Sequence, residues 1–244
     1  PPWPPGFDTD FSFKRARRLP DHDIALIRRW LEEGAVEGNP ADLPAPPEFA
    51  DGWQLGEPDM VVALSTPYSL PGGGGDTYRN LVLPIPIERS RWVRAVDIRP
   101  GTKRGVHHAI MQIDRLQTGR RLDAAETGPG FSGMDMGSTE NTGGHFIGWA
   151  PGKEPIDHPQ DMPWRITPGT DLILQLHMLP SAEPQTVTPQ VALYFTDGPA
   201  LRHPFALVLR NSLIDIPAGE RNYVVEASVT TPVDLEILGV FPHA

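Results

Sequence analysis

Cysteine is absent from the 244-residue sequence. Its absence excludes disulfides, thiolate metal sites, iron–sulfur clusters and cysteine nucleophiles from these residues. Long hydrophobic runs are absent as well, since no apolar segment approaches the ~20 residues that a membrane-spanning helix needs. No signal peptide is visible either. Because the chain opens on residues 1–5 (PPWPP), we expect a processed or excised piece, and the missing leader then says nothing about export.

Positive charge is scarce. The chain has 21 Lys and Arg against 31 Asp and Glu, which gives a formal net charge of −10. Its one short basic run, residues 14–18 (KRARR), has acids a few residues to either side. A net negative surface repels phosphate backbones and anionic lipid headgroups. We therefore expect neither nucleic acid nor a membrane as a partner.

Turn-forming residues are abundant, with 29 Pro and 24 Gly, and the apolar residues between them fall in short separate runs. This pattern predicts a mainly β fold, an antiparallel β-sandwich (jelly-roll-like) with a short N-terminal helical segment. The runs with strand character are residues 59–65, 78–85, 91–99, 106–114, 171–180, 189–196, 204–210, 222–229 and 233–241.

One helix is predicted over residues 21–33, where Pro20 suits the opening position and Gly34 the C-terminal cap. Its apolar stripe consists of Ile24, Ile27, Trp30 and Leu31, and a single helix with such a stripe is expected to dock on another surface in a structural role. Residues 36–58, rich in Pro and acids, predict a stiff, solvated linker. Residues 115–165 show little periodicity, so we expect a functional surface loop or a partly ordered excursion there.

Three histidines lie in strand-like apolar runs. His107 and His108 are adjacent in residues 106–113 (VHHAIMQI), and His177 lies in residues 172–179 (LILQLHML). Three imidazoles without a thiol are a ligand set that suits copper, zinc or iron. His145, in a Gly-rich segment, is a further residue that could approach a metal.

Adjacent residues on a strand point to opposite faces of the sheet. His107 and His108 can therefore share one metal only at a strand end or at a β-bulge, where the alternation breaks. Gly101 and Gly105, just upstream, make such a break plausible. Without it, one histidine would be a ligand and the other a core residue.

Other chemistries find little support. Asp135 and Glu140 lie in the long loop without the fixed separation that a glycosidase needs. The sequence has no G-x-S-x-G elbow and no P-loop lysine motif. Met111 and Met178 are interpreted as core residues.

Four segments, in this order, resemble copper type II, ascorbate-dependent monooxygenases of the peptidylglycine α-hydroxylating monooxygenase and dopamine β-hydroxylase type. They are residues 99–101 (RPG), 106–110 (VHHAI), 148–152 (GWAPG) and 174–177 (LQLH). The resemblance covers nearly the whole chain. The resemblance is strongest to bacterial forms that have a c-type cytochrome module upstream. Residues 18–35 resemble the segment that closes this cytochrome module.

The resemblance implies two β-sandwich domains with one copper each. His107, His108 and His177 match the three-histidine copper that passes an electron, and His243 matches the start of the oxygen-activating copper site. The implied organisation is a cytochrome tail (1–35), a linker (36–58), the first copper domain (59–212) and the incomplete start of the second (213–244).

The resemblance also implies partners and a setting. The cofactors would be copper together with ascorbate or another electron donor, such as a cytochrome c haem in the full-length protein. The partners would be the missing second copper domain and a small-molecule or peptide substrate, and the location would be periplasmic or extracellular. Since this chain has no C-x-x-C-H motif and, at His243, at most one ligand of the second site, we expect neither covalent haem nor full hydroxylase turnover.

Two alternatives stay open. A zinc ion held by the three histidines would activate water for hydrolysis or hydration, although no Glu or Thr base lies within a few residues of them. The other alternative is a metal-free β-sandwich binding module in which the histidines serve the core.

Overall fold

The computed structural model describes residues 19–47, 52–102, 105–141, 148–155 and 161–240. The chain divides into two compact units. One comprises Pro1–Glu48 together with Leu209–Ala244, and the other comprises Phe49–Val208.

All strands in the described ranges belong to the unit Phe49–Val208. In chain order they are β1 (Met60–Ala63), β2 (Tyr68–Leu70), β3 (Thr77–Pro84), β4 (Arg91–Arg99), β5 (Val106–Asp114), β6 (Phe131–Ser132), β7 (Gly148–Trp149), β8 (Trp164–Ile166), β9 (Asp171–Met178), β10 (Gln185–Val187) and β11 (Gln190–Thr196). The helices are α1 (Asp21–Glu32) and α2 (Thr118–Asp123), with a 3₁₀ turn at Pro40–Asp42.

The strands form two main antiparallel sheets and a small one. The orders are β1-β11-β4-β8 in the four-stranded sheet, β6-β3-β9-β5-β7 in the five-stranded sheet and β10-β2 in the small one. Side chains of both main sheets share one apolar core, with Val93 and Val191 from the first and Leu174 and Met111 from the second. The predicted mainly β, antiparallel sandwich with a short N-terminal helix is confirmed.

Strand β9 lies at the centre of the five-stranded sheet. It pairs with β3 along one edge and with β5 along the other, and all eight of its residues are buried. One face of β9 contributes Leu172, Leu174 and Leu176 to the sandwich core. On the other face, Ile173 packs against Phe131 and Met136 from the segment that follows α2.

Helix α1 agrees with its prediction to within one residue. Pro20 precedes it, and Gly34 follows it with a φ of +89°, a conformation that glycine adopts at low cost. No residue of α1 is buried, and its apolar stripe is 38–60% exposed in the described structure.

Three predicted strands are wrong. Residues 204–210, 222–229 and the described part of 233–241 contain no strand, and their large apolar side chains, among them Phe205, Val224 and Ile237, are exposed. These segments are rich in β-forming residues, which was the basis of the prediction. A strand also needs a partner for its backbone hydrogen bonds, however, and the described residues supply none there.

The described parts of the long loop are built into the sandwich unit. Residues 115–141 contain α2 and β6, and Glu140 forms an isolated antiparallel bridge with Ile113. Arg120 of α2 holds the buried carboxylate of Asp171 through two hydrogen bonds of 2.6 and 2.7 Å.

Within the described ranges, no helix has the length and apolar character that crossing a bilayer requires.

Candidate metal centre

A β-bulge places the two adjacent histidines on one side of the sheet. In the pairing of β5 with β9, Val106 lies opposite Met178 and His108 opposite His177, so that the register shifts across His107. Gly105, just before the bulge, has a φ of +90°, which other residues adopt only with strain. The break in alternation that a shared metal requires is therefore present.

His177 takes its position from the same register. It lies directly opposite His108 on β5 and opposite Tyr78 on β3, so the three side chains form one row across three strands. Side chains alternate between the two faces along β9. Because Leu172, Leu174 and Leu176 face the core, His177 and the rest of this row lie on the opposite face of the sheet. The histidines stand at the end of β9, where the strand stops at Met178.

The three imidazoles converge through the same ring nitrogen. The Nδ1 atoms of His107 and His108 are 3.1 Å apart, and those of His177 and His108 are 3.4 Å apart. The ring centroids lie 4.9 to 5.3 Å from one another, with interplanar angles of 69° to 72°. The rings thus meet edge to edge around a common point. We call these three residues the histidine cluster.

The spacing of the nitrogens fits ligands of one ion. Two nitrogens that bind a metal at about 2.0–2.1 Å, with angles of about 100–120° between them, lie about 3.1–3.6 Å apart. The two Nδ1 separations, 3.1 and 3.4 Å, fall in that range. Within the described residues, the histidine cluster is the group of His, Asp and Glu side chains whose ligand atoms lie close enough to hold a metal ion.

Hydrogen bonding among the rings alone satisfies these nitrogens poorly. A neutral imidazole carries one N–H, so its other nitrogen presents a lone pair. The Nδ1 of His108 faces the Nδ1 atoms of both His107 and His177. A single N–H on His108 can point at only one of them, whereas a cation at the centre would accept a lone pair from each ring.

The environment of His108 favours its neutral form. Burial lowers the pKa of the His108 imidazole below its ordinary value, and the neighbouring His177 and His107 lower it further. Only the neutral ring can bind a metal. The three rings differ in access to solvent, since His177 is buried, His108 is half-buried and His107 is exposed.

Sequence reasoning did not single out Asp76 or Tyr78, which contact His177. Asp76 Oδ2 lies 2.9 Å from His177 Nε2, the nitrogen that points away from the cluster. The Tyr78 ring stacks on the His177 ring with a centroid distance of 4.3 Å and an interplanar angle of 5°. The available signal was that Asp76 and Tyr78 are two residues apart at the start of a predicted strand.

A buried amide network supports the same face of the sheet. Gln175, two residues before His177, donates from Nε2 to Asn80 Oδ1 at 2.9 Å and to the Met134 carbonyl at 3.0 Å. Asn80 in turn donates to the carbonyls of Gly133 and Asp135. These hydrogen bonds fasten residues 131–136 to β3 and β9 beside the histidines.

Among the residues that the structure describes, the other sequence candidates do not join the histidine cluster. Met111 and Met178 are buried in the sandwich core, as interpreted. Glu140 binds Arg115, and Asp135 accepts a hydrogen bond from the backbone of Gly137. His145 and His243 lie outside the described residues, as do the Gly-rich segment 142–147 and the basic run 14–18.

Comparisons with known proteins do not assign a family: the sequence matches no protein-family model and no curated protein. Three imidazole nitrogens suit zinc, copper, iron or nickel rather than magnesium or calcium, which take oxygen ligands. The structure brings together three of the predicted ligands, His107, His108 and His177, in a group that could hold such an ion.

Proposed function

We propose that the unit Phe49–Val208 binds one copper ion through the Nδ1 atoms of His107, His108 and His177. In this proposal the ion is the electron-transfer centre of an ascorbate-dependent copper monooxygenase. The observation that carries the proposal is the convergence of three Nδ1 atoms at ligand spacing on a bulged strand and its neighbour.

The choice of copper rests on two arguments. The donors are neutral imidazoles in a chain without a single thiolate, which suits Cu(II) and tolerates Cu(I). The four ordered segments that resemble the copper monooxygenases include all three histidines. Copper held there would supply one-electron transfer by alternating between its two oxidation states.

The protein's own part is to hold the ligands still and unprotonated. His108 and His177 lie opposite each other on paired strands, so the sheet itself fixes their separation. The lowered pKa of His108, caused first by burial, keeps its nitrogen available at neutral pH. His107 is exposed and leaves a path by which electrons reach the site from a donor in solution or from a docked protein.

Further parts of the proposal rest on the resemblance alone. They include ascorbate or a cytochrome c haem as the donor, a second copper domain as the partner that activates oxygen, and a small-molecule or peptide substrate. A periplasmic or extracellular location belongs with them. Direct measurement of metal binding comes first, because each of these parts depends on it.

The test is the copper content per chain after reconstitution and desalting, together with the Cu(II) EPR spectrum. We expect one copper per wild-type chain and a type II spectrum with nitrogen ligands. His177→Ala and His108→Ala should lose it, whereas His203→Ala, which removes an exposed histidine of the same unit, should keep it. Equal copper in all four proteins would contradict the proposal.

Zinc separates the remaining outcomes. Zinc that stays bound when copper is offered in excess would favour the non-redox, water-activating alternative. An unchanged melting temperature with either metal would favour the metal-free binding module, because a ligand selective for the folded state must stabilise it. Either result would replace the copper assignment.

A further inference from the structure

We propose that Asp76 is the positioning residue of the metal site. It holds the proton of His177 on Nε2 and so aims the lone pair of Nδ1 at the metal. The inference rests on the proposed function for its purpose, but it concerns a hydrogen bond that exists in the metal-free protein. It therefore has a readout that needs no metal.

The geometry of His177 is fixed on three sides. Asp76 Oδ2 lies 2.9 Å from Nε2, Tyr78 stacks on one face of the ring, and Nδ1 faces His108 at 3.4 Å. The imidazole is thus clamped between a carboxylate at one nitrogen and the histidine cluster at the other. A rotation of the ring by half a turn would lose both the carboxylate contact and the approach to His108.

The backbone explains why Asp76 is available there. It ends the turn of residues 71–76 and directly precedes β3, whose first pairs are Thr77 with Met178 and Tyr78 with His177. Asp76 and Tyr78 are two residues apart, the spacing that puts side chains on one face of an extended chain. The two residues therefore reach the same ring, one at its edge and one on its face.

A second loop holds the turn in place. The backbone N–H of Gly73 donates to the carbonyl of Ser181 at 2.7 Å. At Gly72, a Cβ would come within 2.6 Å of the Ala182 carbonyl oxygen, so the two loops are in close contact at a position where only glycine fits. The turn that carries Asp76 is anchored to the chain that follows β9.

The chemistry follows from the donors and acceptors. An ionised carboxylate only accepts hydrogen bonds, so its contact with Nε2 favours the tautomer in which Nε2 carries the proton. In that tautomer Nδ1 is free to bind a metal. Removing such a hydrogen-bond partner from a metal ligand typically weakens metal binding about 10- to 100-fold.

The arrangement is specific to one ligand. In the part of the chain that the structure describes, no hydrogen bond joins the imidazole of His107 or His108 to a carboxylate, and the polar contacts of these two rings are within the histidine cluster. His177 is also the buried member of the cluster. We infer that His177 is the anchored ligand, around which the other two rings settle when the metal binds.

The experiment compares wild type, Asp76→Ala, Asp76→Asn and the control Asp197→Asn, which changes an exposed aspartate of the same unit. The first readout is the tautomer of His177 in the metal-free protein, from nitrogen-15 NMR of the imidazole. We expect the Nε2–H form in wild type and the control, and a mixture of tautomers in Asp76→Ala. Asp76→Asn keeps a carbonyl acceptor and should give an intermediate result.

The second readout is the affinity for Cu(II) and Cu(I). We expect Asp76→Ala to bind Cu(II) about 10- to 100-fold more weakly. Cu(I) should be less affected, because the negative charge of the Asp76 carboxylate stabilises the doubly charged ion more than the singly charged one. A tenfold loss of affinity that is confined to Cu(II) raises the one-electron reduction potential of the bound copper by about 59 mV. The backbone amide spectrum checks that each variant keeps its fold.

The outcomes separate the two proposals. A wild-type His177 in the Nδ1–H form, or a tautomer and Cu(II) affinity unchanged in Asp76→Ala, would overturn the role of Asp76 while leaving copper binding intact. Wild-type protein that binds no copper but shows the Nε2–H tautomer, lost in Asp76→Ala, would support Asp76 as the residue that orients His177 and contradict the proposed function instead.

Discussion

Two segments of similar composition have different structures. Residues 171–178 (DLILQLHM) form β9, in which every residue is buried, whereas residues 233–240 (VDLEILGV) contain no strand. Leu174 in the first segment is fully buried, and Ile237 in the second is 80% exposed. Both segments are rich in β-forming side chains, so composition does not explain the difference.

The difference is in what surrounds each segment. Strand β9 has β3 along one edge and β5 along the other, and both of its faces are covered by side chains. Backbone hydrogen bonds and apolar burial then act together, which is how β propensity is realised in proteins. Residues 233–240 have no paired strand in the described structure, so the same β propensity does not produce a strand there.

The histidine cluster depends on this contrast. A metal site needs ligands held at fixed separations, and β9 holds His177 opposite His108 because it is paired along its whole length. A segment like 233–240 cannot hold a ligand in that way by itself.

Hydrogen exchange should distinguish the two segments most strongly. Amides of β9 should open only with global unfolding, whereas those of residues 233–240 should exchange through local opening. For a global stability of about 5 kcal/mol or more, this is a difference of over a thousandfold in protection. Similar protection of both segments, measured by NMR or mass spectrometry, would contradict the contrast.

Matched leucine truncations test the packing. Leu174→Ala should lower the free energy of unfolding by about 2–5 kcal/mol, since Leu174 is fully buried in the sandwich core. Leu238→Ala, at a position that is 56% exposed, should change it by less than about 0.5 kcal/mol. Urea unfolding curves give both values, and equal shifts in the two variants would show that the segments pack alike.

The beginning of β9 offers a third test. Arg120→Ala removes the partner of Asp171, whose side chain is fully buried, and should cost about 1–3 kcal/mol because the carboxylate loses its hydrogen bonds without regaining water. Arg121→Ala, at an exposed neighbour in the same helix, is the control. A variant Arg120→Ala as stable as Arg121→Ala would show that the ion pair contributes nothing.

The smallest expected effect is a pH dependence of the metal-free protein. Burial lowers the pKa of His108 below its ordinary value of 6.5, so the unfolded chain binds this proton more readily than the folded one. The contribution of neutral His108 to the free energy of unfolding is therefore fully present above pH 6.5. It is lost as the pH falls through the lower pKa of the folded state. Urea midpoints above and below pH 6.5 should show a smaller acid loss in His108→Gln than in wild type or His203→Ala.

The sequence predicted the longer elements well. Six predicted strands correspond to β1, β3, β4, β5, β9 and β11, and the predicted helix corresponds to α1. The strands of two or three residues, β2, β6, β7, β8 and β10, were not predicted, because periodicity cannot be recognised over so few residues. Helix α2 was missed for a similar reason, because it has only six residues.

The candidate site was predicted in part. His107, His108 and His177 were singled out, and a strand end or a β-bulge was named as the condition for the first two to share a metal; the structure has the bulge. Asp76 was not, because its contact with His177 depends on the pairing of two strands about a hundred residues apart along the chain. Sequence patterns report local geometry, whereas such contacts arise from tertiary pairing.

The most direct test of the central claim is the anomalous diffraction signal of copper in crystals of the reconstituted protein. We expect one copper peak between His107, His108 and His177, about 2.0–2.1 Å from each Nδ1 atom, by analogy with imidazole bound to zinc. Copper bound at another place, or through the Nε2 atom of His177 with its contact to Asp76 broken, would contradict it.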